Sequence, residues 1–413
     1  MAMVATDPKT GQILVMVGSR DYFDEIIPGA YNVATMAPGR QPGSSFKPFA
    51  YAQAFAEGYT PETIVFDLPT QFSTACEPHD NYNSEPPCYA PQNYDDAFVG
   101  PMTLRNGLAQ SRNIPAVKTI YLAGLSDTLR LAKSMGISTL GDPGQYGLTL
   151  VLGGGEVTPL DMTNAYGAFA NNGLHFEEQS ILKIEDSQGS VIEDNTQVAG
   201  VQVMSPTVAQ QIADVLSDPV ARGPLGENNL FNFPGHDVAI KTGTTNNYRD
   251  AWTVGFTPNI SVGAWAGNND NTPMVRRVSG FIIGPAWAEF MRYALTRLPA
   301  EPFTRAEVPP ATKPVLNGVW QVPGADGLIH DILYWVNKTN PQGDGNSISD
   351  SQYRYWEYPV QAWVGTNGVP AVDTGNQEDC FIDPRTGQCI DGGTNPSDFD
   401  NGNGNNGNGN ENG

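Results

Sequence analysis

Alternating apolar residues, the pattern of a half-buried strand, occur at two places far apart in this chain. The stretch "MVATDPKTGQILVMVGS" (3–19) alternates on both sides of a Pro-Lys-Thr-Gly turn and reads as a β-hairpin. From residue 237 the texture returns in "DVAIKTGTT", "DAWTVGFTP" and "ISVGAWAGNND", separated by turn signals. Between the two lie helices. Residues 44–57 are one; Thr158 with Pro159 and Ser205 with Pro206 each pair an N-cap with a proline at the first helical position, and Gly173 stops the earlier of those two helices. "SILKIEDSQGSVIED" between them reads as a further hairpin, whereas about 60–100 looks long and irregular. Strands at both ends with helices between imply an α/β (α+β) fold: an antiparallel sheet of about five strands from both ends of the domain, flanked by helices, with an inserted all-helical subdomain. The expected division is a main domain over 1–300, an extension over 301–390, and a Gly/Asn-rich tail over 391–413 that is expected to be disordered. Aromatic segments in the extension ("NGVWQV", "ILYWV", "YRYWEYPVQAWV") suggest a small β-rich piece.

Charge narrows the function classes. Asp and Glu outnumber Lys and Arg 44 to 22, a net charge of -22, so a phosphate backbone would be repelled and nucleic acid is not an expected partner. No apolar run is long enough to span a bilayer, and "MAMVATDP" lacks the basic start and apolar stretch of a signal peptide. Because the opening reads at once as strand, the chain is expected to begin partway through a longer protein. The four cysteines fall into two local pairs in loop sequence, Cys76 with Cys88 and Cys380 with Cys389. Disulfides in an oxidising, extracytoplasmic setting are the expected state; a metal site is the rival, without CxxC spacing or suitably placed histidines.

One lysine stands where it could do chemistry. In "GRQPGSSFKPFAYAQAFAEGY" (39–59), Lys47 lies three residues after Ser44, one turn along the same helix face, and two after Ser45, on a different face. Pro42 and Gly43 break the chain just before, which sets Ser44 at a helix N-terminus with free N–H groups. A hydroxyl, an amine and a positive dipole end then coincide, and Ser44 is the candidate nucleophile. The alternative is an ordinary cap with a solvated lysine. The same spacing recurs at Ser180–Lys183, within a probable strand where the side chains diverge. "LAQSRNIPAV" adds Ser111 and Asn113 before a helix, again readable as a cap. "AIKTGTTNNYRDAW" adds Lys241, Thr242, Gly243 and Thr244 on an apolar strand, with Thr242 and Thr244 on one face and Lys241 and Gly243 on the other. Glycine there permits close approach of another element. A second Lys-Thr-Gly, Lys9–Gly11, occupies the first hairpin turn.

The ordered trio SxxK, SxN and KTG is the motif set of penicillin-binding proteins and serine β-lactamases. The segment around Ser44, "GPMTLRNGLAQSRNIPAVK", "TPLDMTNAYGAFANNG", "KTGTTNNYRDAWTVGFTPN" and "VGAWAGNNDNTPM" together resemble the transpeptidase domain of bifunctional, class A penicillin-binding proteins over roughly 3–300. The resemblance implies a peptidoglycan D,D-transpeptidase with its active site between the sheet and the helical subdomain. Ser44 would be acylated by the D-Ala-D-Ala end of a stem peptide, from lipid II or nascent glycan, and an amine from a neighbouring stem would take the acyl group. β-Lactams would trap the serine. Lys47 would be the base, Ser111 a proton relay, and Asn113 a hold on the donor amide. Lys241, Thr242 and Thr244 would receive the terminal carboxylate, and the backbone N–H groups of Ser44 and Thr244 would form the oxyanion hole. No metal or organic cofactor is implied. Lys47 is expected to be neutral at rest, through burial and a second cation, Lys241. Class A members normally carry a membrane anchor and a glycosyltransferase domain upstream; without them, no glycan polymerisation is expected of these residues, and any membrane attachment would run through the missing anchor of an envelope protein. Ile240 departs from the small residue that many relatives have there. Three rivals share the chemistry: a β-lactamase, for which Glu156 is the candidate base; a D,D-carboxypeptidase; and a non-enzymatic receptor.

Overall fold

The computed structural model describes residues 1–226 and 229–367 in full, with the backbone of 380–382 and 389–391. The hairpin forms as read, from β1 (Ala2–Thr6) and β2 (Ile13–Val17). Two short strands, β3 (Ile64–Asp67) and β4 (Gly100–Thr103), pair with each other apart from the main sheet. From the far end of the domain come β5 (Ala239–Thr244), β6 (Asp250–Thr257) and β7 (Ile260–Gly267). One sheet results, in the order β2-β1-β7-β6-β5 and antiparallel throughout. The strand bearing Lys-Thr-Gly is therefore an edge.

Both faces of the sheet are covered, and β6 is buried along its whole length. Trp252, Val254 and Phe256 of β6 enter the larger core, while Ala251 joins Val262, Ala264 and Trp287 in a second core on the other face. The alternation of a strand thus feeds two cores at once, and each large side chain so buried contributes about 1.5–3 kcal/mol. Against the first face packs α5 (Pro159–Ala170), buried throughout and capped by Thr158, whose hydroxyl accepts from the Asp161 amide at 3.0 Å. The second face is covered by α7 (Gly284–Leu295), whose Trp287 indole donates to the Val262 carbonyl at 2.9 Å. The helical block comprises α1 (Lys47–Ala56), α2 (Leu104–Ala109), α3 (Asn113–Ala123), α4 (Leu125–Ser134) and α6 (Pro206–Ser217), the last capped by Ser205 as read. All of α1 except Gln53 and Ala56 is buried. An exposed hairpin pairs Lys183–Glu185 with Val191–Asp194, so the Ser180–Lys183 spacing ends on a strand.

Two expectations need correction. The stretch 60–100 is not wholly irregular: it holds β3 and the start of β4, and within it the expected Cys76–Cys88 disulfide forms, with Cα atoms 5.6 Å apart. Sulfurs bonded to each other offer no thiolate to a metal. Between 314 and 367 the extension is helical, not β-rich, with short helices at Pro314–Asn317 and Ile332–Trp335 and a long one, α8, at Tyr353–Asn367. Its aromatic content reads as strand propensity, but its buried apolar positions, Tyr355, Trp356, Pro359 and Val360, fall at helical spacing. Residues 301–367 also lie within one compact unit with 1–300. Cys380 and Cys389 lie on two short paired strands, Cys380–Ile382 and Cys389–Asp391; their side chains and most of the tail fall outside the described residues.

Candidate active site

A 3-10 turn, Gly43–Phe46, leads into α1 and carries both serines. Ser45 is buried and its hydroxyl donates to the Pro42 carbonyl at 2.6 Å, a bond that ties the turn together. Ser44 is half-buried and lines a cleft of about 320 Å³ with Ser111, Asn113, Thr242, Thr244 and Tyr248. The entry turn lies directly against β5. A Cβ at Gly43 (φ 55°) would meet the Thr244 carbonyl oxygen at 2.7 Å, and one at Gly243 would meet the Pro42 oxygen at 2.3 Å. Glycine is required on both sides of this contact, which brings the backbones of Ser44 and Thr244 together.

Lys47 is wholly buried. Its Nζ donates to the Ser111 carbonyl at 2.6 Å, the Arg112 carbonyl at 3.0 Å and Asn113 Oδ1 at 2.9 Å. Burial holds its pKa well below the ordinary lysine value, and the charges of Lys241 and Arg112 push it further down; Asp67 opposes them. Lys241, from β5, donates to Ser111 Oγ at 2.8 Å and to the Thr242 carbonyl at 2.9 Å. The turn Ser111–Asn113 is thus gripped by two amines, one from each side of the cleft. Ser111 sits at φ 60°, a strained backbone for a residue with a side chain, as is common where a group must be presented to a ligand. Thr242 and Thr244 both line the cleft, as strand alternation requires, and Thr244 Oγ1 accepts from the Ser279 amide at 2.9 Å. Ile240 is buried in the second core, so its bulk is accommodated on the face away from the helical block. The decoy Lys9–Gly11 lies in the turn joining β1 and β2.

Four residues that sequence reasoning missed, Arg112, Asp67, Asp95 and Asn93, hold the SxN turn in place. Arg112, buried, donates through Nε to Asp67 Oδ2 at 2.9 Å and pairs with Asp95 at 2.8 Å. Asn93 donates to Asp67 Oδ1 at 2.8 Å and accepts from the Asn113 backbone amide at 2.8 Å. Asp67 ends β3, and Asn93 lies in the loop before β4. An Asn in loop sequence and an Asp ending a four-residue strand give no periodic signal, so only their placement reveals the network. Glu156 is exposed and is not among the residues lining the cleft.

The sequence matches the family model "Penicillin binding protein transpeptidase domain" over residues 1–291. Penicillin-binding protein 1A of Neisseria flavescens is 33% identical over 311 residues, covering 74% of this chain and 37% of the relative. The Aquifex aeolicus (strain VF5) protein of the same name is 33% identical over 310 residues, covering 75% and 39%. The chain therefore spans well under half the length of these curated relatives. Among solved structures, penicillin-binding protein 1A from Haemophilus influenzae aligns with a TM-score of 0.63 and 27% identity, over 77% of this chain and 51% of that one. PonA1 from Mycobacterium tuberculosis, solved with penicillin V, aligns at 0.62 with 23% identity, over 74% and 81%, a likeness of fold alone. With the sheet, the cleft and the sequence match in agreement, the chain belongs to the family of penicillin-binding protein transpeptidase domains.

Proposed function

We propose that this chain is a serine D,D-transpeptidase that cross-links peptidoglycan stem peptides. The observation that carries the reading is the convergence of Lys47 Nζ and Lys241 Nζ on the Ser111–Asn113 turn, beside Ser44. Ser44 Oγ attacks the carbonyl of the penultimate D-alanine and passes its proton to Lys47. An unperturbed lysine, with a pKa of about 10.4, would be protonated and useless as a base; burial beside two cations lowers that value toward the free amine, which as –NH2 keeps two of the three donated bonds and turns its lone pair to Ser44. The developing oxyanion lies between the N–H groups of Ser44 and Thr244, donors of a kind worth about 3–4 kcal/mol. The C–N bond then breaks. The proton held by Lys47 reaches the departing nitrogen through Ser111, and terminal D-alanine leaves. Asn113, oriented by Lys47 and by the Gln92 carbonyl at 2.7 Å, holds the donor amide. Lys241, Thr242 and Thr244 take the terminal carboxylate, a local cationic pocket in a chain of net charge -22. An amine from a second stem attacks the Ser44 ester, loses a proton, forms the new amide and frees the serine.

A β-lactam opens at its amide bond on the same serine but keeps its leaving group tethered, so the ester persists. The Cys76–Cys88 disulfide supports an extracytoplasmic setting. Labelling with fluorescent penicillin tests the reading. A stable adduct over hours, absent in Ser44→Ala, together with cross-linked product from a D-Ala-D-Ala donor and an amine, is expected. Rapid loss of label points to a β-lactamase, free D-alanine without cross-linked product to a carboxypeptidase, and a stable adduct without turnover of the donor to a receptor.

A further inference from the structure

The family match ends at residue 291, yet residues within 301–367 contact α3 and β3, the two elements next to the SxN turn. Helix α3 begins at Asn113, whose side chain holds Lys47. Five residues on, roughly 140° around the helix, is Lys118. It is fully buried, and its Nζ donates to Asp331 Oδ2 of the extension at 2.5 Å and to the Phe66 carbonyl of β3 at 2.8 Å. Asp331 is also fully buried, and the Trp356 ring of α8 lies 5.1 Å from the same amine. One turn further along α3, the Tyr121 hydroxyl donates to Asp350, another carboxylate of the extension, at 2.6 Å. The next residue of β3 after Phe66 is Asp67, which holds Arg112 and Asn93. The Phe66 ring packs edge-on against Trp320 and Trp363, each 6.0 Å away, and the two indoles also touch each other at 5.7 Å.

We propose that residues 301–367 are a brace for the active site, with Lys118 and Asp331 as positioning residues that fix α3 and β3 and thereby set the SxN turn against Ser44. Two routes run from Asp331 to the cleft: through α3 to Asn113, and through Phe66 and Asp67 to Arg112. Both end on groups that surround the Lys47 amine. Loosening either admits water to an amine that faces Lys241 from β5, Arg112 from the SxN turn and Asp67 from β3. Hydration favours the charged form, so the brace controls the protonation of the base as well as its position.

The inference rests on Ser44 being acylated, and the test separates the two. Penicillin acylation of the full chain is followed from subsaturating to saturating concentration across pH, for the parent, Asp331→Asn and Trp363→Ala, with near-UV circular dichroism confirming the folded state. In Asp331→Asn the saturating acylation rate is expected to fall about tenfold, below the roughly 10²-fold that a 1 Å misplacement of a catalytic group can cost. The half-saturating concentration stays within about twofold, because the carboxylate pocket on β5 is untouched. The acid limb of the pH profile moves to higher pH. Trp363→Ala shows a smaller change of the same sign, and it decides the matter if Asp331→Asn does not fold. Folded variants with the parent's rate and pH profile overturn the brace. A parent that takes no label at all overturns the acylation reading, and the brace with it.

Discussion

Two lysines, Lys47 and Lys118, are both fully buried, and their surroundings make opposite use of them. Around Lys47 the contacts are neutral oxygens from Ser111, Arg112 and Asn113, with two further cations close by. Around Lys118 they are a carboxylate at 2.5 Å and a backbone carbonyl, with an indole beside the amine. A buried ammonium needs an anion; without one it favours losing its proton. The surroundings of Lys47 therefore lower its pKa, with Asp67 opposing, whereas Lys118 is paired with a carboxylate that ties the extension to α3.

Substitutions sharpen that contrast. The largest effect is expected at the nucleophile: Ser44→Ala abolishes penicillin labelling, while Ser45→Ala, which loses only a bond within the turn, still labels, as read on a gel. Next, Lys47→Met lowers the acylation rate by about 10²–10⁴, the usual contribution of a positioned base. The same variant separates base from brace by its stability. In the parent the folded-state pKa of Lys47 lies below the unfolded value, so unfolding takes up a proton between the two, and parental stability rises with pH across that window toward about 10.4. Urea unfolding at several pH values should show this rise in the parent and its absence, for this group, in Lys47→Met.

Lys118→Met acts differently. It strands Asp331 as a buried, unpaired carboxylate and costs about 3–5 kcal/mol, most of which the double variant with Asp331→Leu recovers. Recovery in full by an apolar pair is compatible with a structural ion pair; no loss in the single variant contradicts it. Opening the Cys76–Cys88 disulfide, which closes a loop of sequence separation 12, lowers stability by about 3 kcal/mol, measured as the shift between Cys76→Ser/Cys88→Ser and the oxidised parent. The smallest effect is expected at Glu156: exposed outside the cleft, its change to Gln should leave the lifetime of the penicillin adduct unaltered.

What could be read from the sequence followed the range of the interactions. The SxxK turn, the hairpin, both proline-led helices and the Lys-Thr-Gly strand announce themselves within a dozen residues, because spacing, caps and alternation are local. Helical spacing likewise separates Ser44 from Ser45, and the bond from Ser45 to Pro42 gives the second serine a structural use. Close approach of a second element at Gly243 was also foreseeable from a glycine within an apolar strand. The supports of the site were not. Asp67 reaches Arg112 across 45 residues and Asp331 reaches Lys118 across 213, and nothing at either end of such a pair marks its partner. The extension is misleading for a related reason: clustered Trp and Tyr resemble strand composition, and only the spacing of the buried apolar Tyr355, Trp356, Pro359 and Val360 shows that the period is helical.

The central claim is that Ser44 is activated by an amine kept uncharged by burial and by Lys241. Its most direct test is the pH dependence of penicillin acylation in the parent, Lys47→Arg and Lys241→Gln. The parent rate should fall on acidification through a limb below the ordinary lysine pKa, Lys241→Gln should move that limb to higher pH by removing a repelling charge, and Lys47→Arg should abolish it. A Lys47→Arg profile that matches the parent, or a limb that stays in place without Lys241, contradicts the account.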